Sequence, residues 1–199
     1  MPLDYLRKCD PLLQAVIDRV GPLPERSTRP DDHFVALLRI IVGQQLSTKV
    51  ATTIWNRFTA EFGEIPSTEI ILTSTEDRLR SVGLSGAKAR YLKSLAEHVA
   101  NGELQIAKLE LLSDEEIHTE ITAVKGLGPW SADMFLMFHL VRPDILPVGD
   151  LGIREAVRRL YALEERPGPA ELTEIAEKWR PHRTLACRYL WRSLDNEPG

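Results

Sequence analysis

The chain has 199 residues, of which 43% are hydrophobic and 27% charged, a balance typical of a globular protein that buries a core without disulfides or metals. Its net charge of −4 does not point to a dedicated nucleic-acid binder, which is often basic. Its two cysteines, Cys9 and Cys187, are too few for a four-cysteine zinc or iron–sulfur site. With no signal peptide and no apolar run of about 18–20 residues, we expect a cytoplasmic protein with reduced thiols.

Apolar residues recur at three- and four-residue spacing along most of the chain, from "DPLLQAVIDRV" near the start to "RTLACRYLWRSL" near the end. This spacing predicts a mostly helical protein, because strand-like alternation is scarce. Gly and Pro pairs mark the ends of the predicted helices. The stretch "GPLPERSTRPDD", residues 21–32, is the best candidate for a linker.

A tight turn lies within "AVKGLGPWSADMFLMFHL", residues 123–140. Ser113 and Glu116 have the spacing of a capping box, so a helix should begin there and end near Ala123. The "KGLG" stretch then reverses the chain, and Pro129 opens the next helix. Glycines allow positive φ and close backbone approach, and helix-start N–H groups bind anions. The turn therefore suits a phosphate, although a helical hairpin without a ligand fits the turn alone equally well.

Asp150 lies in "LPVGDLGIREAV", directly before another predicted helix. An aspartate there can be a purely structural N-cap, since its carboxylate accepts backbone N–H bonds. The same position stabilises the anionic form of the side chain, which is the form that a charged reaction intermediate would need nearby. The pattern alone leaves both interpretations open.

The segment "VKGLGPWSAD" followed by Asp150 resembles the helix-hairpin-helix DNA glycosylases, and more narrowly their alkylbase branch, of the DNA-3-methyladenine glycosylase II type. Three further segments resemble that branch in the same order. They are "LLRIIVGQQLSTKVATTIWNRF" (37–58), "LRSVGLSGAKARYLKSLAE" (79–97) and "WRPHRTLACRYLW" (179–191). The resemblance spans residues 30–195 and is more specific than the glycine turn alone.

The resemblance implies an all-α, two-lobed fold with the helix-hairpin-helix motif and an active-site cleft between the lobes. Residues 30–140 would form the helical lobe that carries the hairpin, at about 113–140. Residues 1–29 would pack with the C-terminal lobe, residues 141–199, which carries the catalytic aspartate. The amino-terminal α/β domain of longer relatives has no counterpart, so we expect a compact form.

The resemblance also implies an activity: hydrolysis of the N-glycosidic bond of alkylated bases flipped out of duplex DNA. Asp150 matches the catalytic aspartate. Trp130 stands where bifunctional relatives carry a lysine nucleophile, which implies base removal without strand cleavage. Trp130 and Trp191 match residues that hold a flipped cationic base, and Met134 takes the place of a tyrosine found in some relatives.

The remaining expected contacts are with double-stranded DNA containing alkylated bases. Gln45 matches the wedge residue that fills the gap left by a flipped base, with Leu46 second. Arg183 and Arg188 fit either phosphate contacts or ion pairs with the acids of "EIAEK". The residues expected at the DNA backbone are Lys125, Gly126, Leu127, Gly128, Ser131 and Lys88.

No cofactor is expected to be required, and neither a membrane nor a partner subunit is implied, so we expect a monomer. The backbone carbonyls of Thr122, Val124 and Leu127 match a family site for a monovalent cation, Na+ or K+. Three rival functions remain. They are a glycosylase for other damaged bases, a non-catalytic helix-hairpin-helix DNA-binding module, and a helical scaffold without a DNA role.

Overall fold

A computed structural model describes residues 1–24 and 33–195. Residues 25–32 of the predicted linker, and with them the predicted boundary at 29/30, lie outside the described residues. Within the described ranges the regular structure is helical and no strand occurs, which confirms the all-α prediction. None of the described helices is long and apolar enough to cross a bilayer.

Several helices begin at a residue whose side chain caps the first turn. Ser47, Ser67, Thr75 and Ser85 each cap a helix by accepting a backbone N–H bond. In chain order the α-helices are α1 (Pro2–Cys9), α2 (Pro11–Val20), α3 (His33–Gly43), α4 (Thr48–Phe62), α5 (Thr68–Thr73), α6 (Glu76–Ser81), α7 (Gly86–Ala100), α8 (Asp114–Ala123), α9 (Pro129–Phe138), α10 (Leu151–Leu160), α11 (Pro169–Ala176) and α12 (Arg183–Asp195), with 3-10 helices at Ile106–Leu111 and Glu177–Trp179.

The chain divides into two compact units. Unit 1 combines Met1–Thr28 with Leu136–Gly199, and unit 2 is the continuous stretch Arg29–Phe135. Unit 1 therefore contains α1, α2, α10, α11 and α12, and unit 2 contains α3 to α8. Helix α9 carries the unit boundary within its own length.

In unit 1, α12 packs against α2 and α10. Its core includes Leu13, Ile17, Val157 and Leu190, all nearly or fully inaccessible to solvent. A buried polar cluster lies within this core. Asp10 caps α2 through Leu12 N–H and Leu13 N–H, and it also accepts hydrogen bonds from the Tyr161 hydroxyl and from Trp179 Nε1. Trp179 is fully buried.

In unit 2, α7 packs against α3, α5 and α6, and α3 also packs against α4. Phe58, Leu38 and Leu92 of these helices are completely buried, as is Phe135 of α9. Trp55 stacks on Phe58 with ring centroids 5.4 Å apart. This core supports the two segments that carry the predicted wedge and the hairpin.

Candidate functional site

Asp150 is the N-cap of α10, and its Oδ1 accepts the Ile153 backbone N–H at 2.8 Å. The same Oδ1 accepts the indole N–H of Trp191, on α12, at 2.9 Å. The Asp150 N–H in turn donates to the Pro147 carbonyl at 2.9 Å, which fixes the turn before the helix. Asp150 therefore caps a helix and also contacts Trp191, a residue predicted to bind the base. These two hydrogen bonds hold its carboxylate in one orientation.

Gly152 makes this pairing sterically feasible. A Cβ at residue 152 would lie 3.1 Å from both Asp150 Oδ1 and Trp191 Cδ1, closer than most such contacts. The Phe138 ring also contacts Trp191, with its ring centroid 5.6 Å from that of the indole. The sequence analysis missed both residues. The glycine after Asp150 was visible in "GDLG", but the tryptophan that it accommodates is distant in the chain.

The predicted hairpin forms between α8 and α9. Ser113 and Glu116 make the predicted capping box at the start of α8, with both reciprocal bonds present. Leu127 N–H then donates to Val124 O at 3.0 Å, and Gly126 takes a φ of +95°. A left-handed residue at this point closes the turn and requires glycine.

The predicted contacts on the hairpin differ in exposure. Lys125 is exposed, while Leu127 and Ser131 are only 3% and 2% exposed. Any DNA contact of these two buried residues would have to use main-chain atoms. Trp130 is half-buried and Met134 is buried, and their predicted roles in binding a base stay predictions.

A second turn, after α3, carries the predicted wedge residues. Gln45 is exposed and has a positive φ of 56°, an uncommon conformation for a residue with a side chain. Leu46 is half-buried. The residue before them, Gln44, donates from Nε2 to Gly126 O at 2.8 Å and to Ser131 Oγ at 3.2 Å. The turn and the hairpin of unit 2 are therefore in direct contact.

Lys88 was expected near a DNA phosphate. In the structure its Nζ donates to the carbonyls of Val42 and Gln44, each at 2.8 Å. Burial lowers the pKa of this ammonium from its ordinary value. The phosphate contact stays a prediction, and the side chain already has a structural role in holding the end of α3.

His118 on α8 and Asp133 on α9 connect the two helices that flank the hairpin. His118 Nε2 lies 3.0 Å from Asp133 Oδ1, and the aspartate is buried. The sequence analysis did not single out this pair, because nothing local relates the two residues. It restrains the angle at which the two helices leave the turn.

The arginines of the last predicted segment bond to other groups of unit 1, and their phosphate contacts stay predictions. Arg183 forms hydrogen bonds with both carboxylate oxygens of Asp144, at 2.8 and 3.0 Å, so its ion pair is not with the "EIAEK" acids. Arg188 donates to the Pro24 carbonyl at 2.7 Å. Both side chains support unit 1 internally.

Among the described residues no group of His, Cys, Asp or Glu could hold a metal ion. The carbonyls at the end of a helix lack intrahelical partners, which gives the end of α8 the right chemistry for a monovalent cation. Of the three expected ligands, Val124 O already accepts the Leu127 N–H. The cation at Thr122, Val124 and Leu127 stays a prediction.

This chain resembles known proteins both in sequence and in three-dimensional structure. Residues 38–182 match the family described as the HhH-GPD superfamily of base excision DNA repair proteins. DNA-3-methyladenine glycosylase 1 of Schizosaccharomyces pombe is 35% identical over 173 residues, which cover 85% of this chain and 76% of the yeast protein. YfjP of Bacillus subtilis, provisionally named as a DNA-3-methyladenine glycosylase, is 31% identical over 169 residues, which cover 81% of this chain and only 59% of YfjP.

A solved structure extends the likeness to three dimensions. The S. pombe 3-methyladenine DNA glycosylase Mag1, in a complex with abasic DNA, superimposes with a TM-score of 0.87 at 34% identity. The match covers 96% of this chain and 94% of that one.

Proposed function

Since this chain belongs to the HhH-GPD superfamily of base excision DNA repair proteins, we propose that it is a DNA glycosylase that releases alkylated purines from duplex DNA. Its relatives at 31–35% identity carry the name of DNA-3-methyladenine glycosylases. The reaction is hydrolysis of the N-glycosidic bond after the damaged nucleotide has been flipped out of the stack.

The observation that carries this proposal is the geometry at Asp150. Cleavage of an N-glycosidic bond develops positive charge on the sugar, and an anionic carboxylate close to it stabilises that charge. The Ile153 N–H and the Trp191 indole N–H both bind Oδ1, so the carboxylate is oriented before the substrate arrives. Preorganisation of this kind lowers the barrier because no reorientation is needed in the transition state. The same carboxylate can orient or deprotonate the attacking water.

The bound base is held by aromatic residues. Alkylation at N3 or N7 leaves a purine with a positive charge, which is attracted to the face of an indole by about 0.5–2 kcal/mol. Trp130 and Trp191 serve this purpose, with Met134 contributing a polarizable apolar contact. Trp191 is fixed by its contacts with Asp150 and Phe138.

The reaction ends at an abasic site with both strands intact. Lyase activity would need an amine at residue 130 to attack the sugar and form a Schiff base, and a tryptophan occupies that position. We therefore infer a monofunctional enzyme. We further propose that it acts as a monomer, requires no cofactor, and works in the cytoplasm on the nucleoid.

DNA is the partner, and the hairpin and the wedge turn of unit 2 are its binding elements. Exposed Lys125 and the backbone N–H groups of Gly126 and Gly128 bind phosphate, and Gln45 with Leu46 fills the gap left by the flipped nucleotide. A protein of net charge −4 can bind DNA in this way, since local groups within about 8–10 Å determine the contact at physiological salt.

Release of free base from methylated duplex DNA tests the proposal, with wild type beside Asp150→Asn. Release of methylated purine by the wild type, nearly abolished in the variant, with strands intact until alkali is added, would support a monofunctional alkylbase glycosylase. Strand cleavage without alkali would refute the monofunctional assignment. Absence of release by both proteins with DNA binding retained would favour a non-catalytic hairpin module instead.

A further inference from the structure

Gly126 of the hairpin contacts two residues that are far from it in the chain, Gln44 and Tyr91. Gln44, at the end of α3, donates both amide hydrogens to the hairpin region: one bond reaches Gly126 O at 2.8 Å and the other Ser131 Oγ at 3.2 Å. Since Gly126 O can only accept, the amide nitrogen of Gln44 must be the atom that faces it. The donor capacity of this side-chain amide is thus used entirely on the hairpin.

Gly126 also packs against an aromatic ring. A Cβ at residue 126 would lie 2.1 Å from Cγ of Tyr91, on α7, and 2.4 and 2.6 Å from the adjacent ring carbons. The main chain of Gly126 therefore lies directly against the face of the ring, in a conformation with φ of +95°. Gln44 and Tyr91 together fix the position of the hairpin turn within unit 2.

Lys88 fixes the turn that carries Gln44. Its ammonium donates to the carbonyls of Val42 and Gln44, at 2.8 Å each, at the C-terminal end of α3. A positive charge at this end of a helix is favourable, because the last carbonyls have no intrahelical donors. Gln45 follows directly, exposed and with a positive φ of 56°.

We propose that Gln44 is a positioning residue that locks the Gln45 wedge turn to the phosphate-binding hairpin, so that both contact DNA at one fixed separation. This inference rests on the proposed function, in which the hairpin binds phosphate and Gln45 replaces a flipped nucleotide. The wedge enters the duplex at a distance from the gripped phosphate that the Gln44 amide sets. Gln44 therefore affects base flipping and leaves the chemistry at Asp150 unchanged.

The test compares excision of one methylated purine in two contexts. In one duplex the base is paired, and in the other it lies opposite an abasic site, where no pairing has to be broken and flipping costs less. The purine is one that the wild-type protein releases. Gln44→Met keeps the length of the side chain and removes both donors.

We expect Gln44→Met to lower the single-turnover excision of the paired base by about tenfold or more, and that of the unpaired base by no more than about threefold. Gln45→Ala should show the same selective loss. The double variant should be no slower than the slower single variant, because Gln44 acts through Gln45. Gln105→Ala is the matched control, since this exposed glutamine of unit 2 makes no capping bond.

Two results would overturn the inference: equal losses on the paired and unpaired bases, as a general destabilisation would produce, or losses at Gln44 and Gln45 that multiply. If Gln44→Met does not fold, Lys88→Met replaces it, because this variant removes the two hydrogen bonds from α7 that hold the same turn. If Lys88 served instead to bind phosphate, Lys88→Met would slow excision of both bases alike, and that outcome also counts against the proposal.

The test separates this inference from the proposed function. A wild-type protein that releases neither base would refute the glycosylase assignment itself. If the wild type is active and Gln44→Met slows excision of the paired and the unpaired base by the same factor, only the positioning role of Gln44 is refuted.

Discussion

Trp191 donates its indole N–H to the same carboxylate oxygen of Asp150 that caps α10, at 2.9 Å. This one oxygen atom therefore caps α10, accepts a hydrogen bond from a tryptophan of α12 and belongs to the proposed catalytic carboxylate. Substitutions here can separate the structural bond from the chemical role, since an amide oxygen also accepts both hydrogen bonds.

Asp150→Asn should abolish most catalysis and leave the fold intact. Asparagine caps helices about as well as aspartate, so α10 keeps its first bond. Loss of the negative charge should slow base release by about 10²–10⁴-fold, the usual contribution of such a group. Single-turnover release from methylated duplex DNA measures the effect, and thermal unfolding checks the fold. Activity near the wild-type level would remove Asp150 from the catalytic machinery.

Trp191→Phe should keep an aromatic ring beside Phe138 and remove the donor to Asp150. Removing a hydrogen bond of this kind costs about 0.5–1.5 kcal/mol when the ring stays in place. Base release should fall by about tenfold, a loss of about 1.4 kcal/mol in transition-state stabilisation. The matched control is Trp55→Phe, which changes a tryptophan that stacks on Phe58 in unit 2. Equal activity in both variants would show that the indole N–H does not orient the carboxylate.

Gly126→Ala should destabilise the protein more than Gly102→Ala. Both glycines have positive φ, +95° and +75°, so both variants lose about 1–2 kcal/mol in backbone conformation. Only at residue 126 would the new Cβ collide with the Tyr91 ring, since nothing lies within 4 Å of the position at Gly102. Urea unfolding measures the difference, and binding to an abasic duplex should weaken only for Gly126→Ala. Equal stability of the two variants would contradict the close packing of Gly126 on Tyr91.

Asp10→Asn should destabilise unit 1 in a pH-dependent manner. Burial alone would raise the pKa of Asp10, but hydrogen bonds from Tyr161, Trp179 and the Leu13 N–H, together with the charge of Lys178, lower it below its ordinary value of 3.8. A lowered pKa in the folded state means that the carboxylate stabilises the fold above pH 3.8 and that this contribution is lost as the pH falls through the folded pKa.

The stability difference between wild type and Asp10→Asn should therefore be about 1–3 kcal/mol at pH 7 and should shrink below pH 3.8. Urea unfolding at a series of pH values measures it. Tyr161→Phe, which removes one donor and keeps the ring, should lie between the two proteins. A difference that does not change with pH would show that the charge of Asp10 contributes nothing to stability.

Lys125→Ala should reduce the salt dependence of DNA binding. Each phosphate neutralised by a lysine contributes about 0.9 to the slope of log affinity against log salt concentration. Lys125 is exposed on the hairpin, and Lys108→Ala offers a control at an exposed lysine of the 3-10 helix Ile106–Leu111. The slope should fall by about one for Lys125→Ala and stay unchanged for the control. An unchanged slope in both would place the phosphate contact elsewhere.

The features that sequence predicted well are local. The capping box of Ser113 and Glu116, the start of α9 at Pro129 and the cap at Asp150 all involve residues within a few positions of each other. Local spacing is sufficient to determine such bonds. Three short helices, α1, α5 and α6, were not predicted from the sequence, because helices of six to eight residues are too short to show a clear period.

The features that sequence could not predict join distant residues. Gln44 and Gly126 are 82 residues apart, and Asp150 and Trp191 are 41 apart. The resemblance to a family placed Gln45 and Asp150 in functional roles, but not the side chains that orient them. These partners depend on how helices pack, and packing is a tertiary property that periodicity does not specify.

The split composition of unit 1 has a consequence for synthesis on the ribosome. Asp10 binds partners at 161 and 179, which emerge when most of the chain has already been made, whereas unit 2 is one uninterrupted stretch. Because domains fold as they emerge, unit 2 can fold during translation while the apolar side chains of α1 and α2, Leu6, Leu13 and Ile17 among them, still lack their partners. Helices α1 and α2 therefore expose apolar side chains until α12 has emerged, and the nascent chain should be a substrate for chaperones that bind such segments.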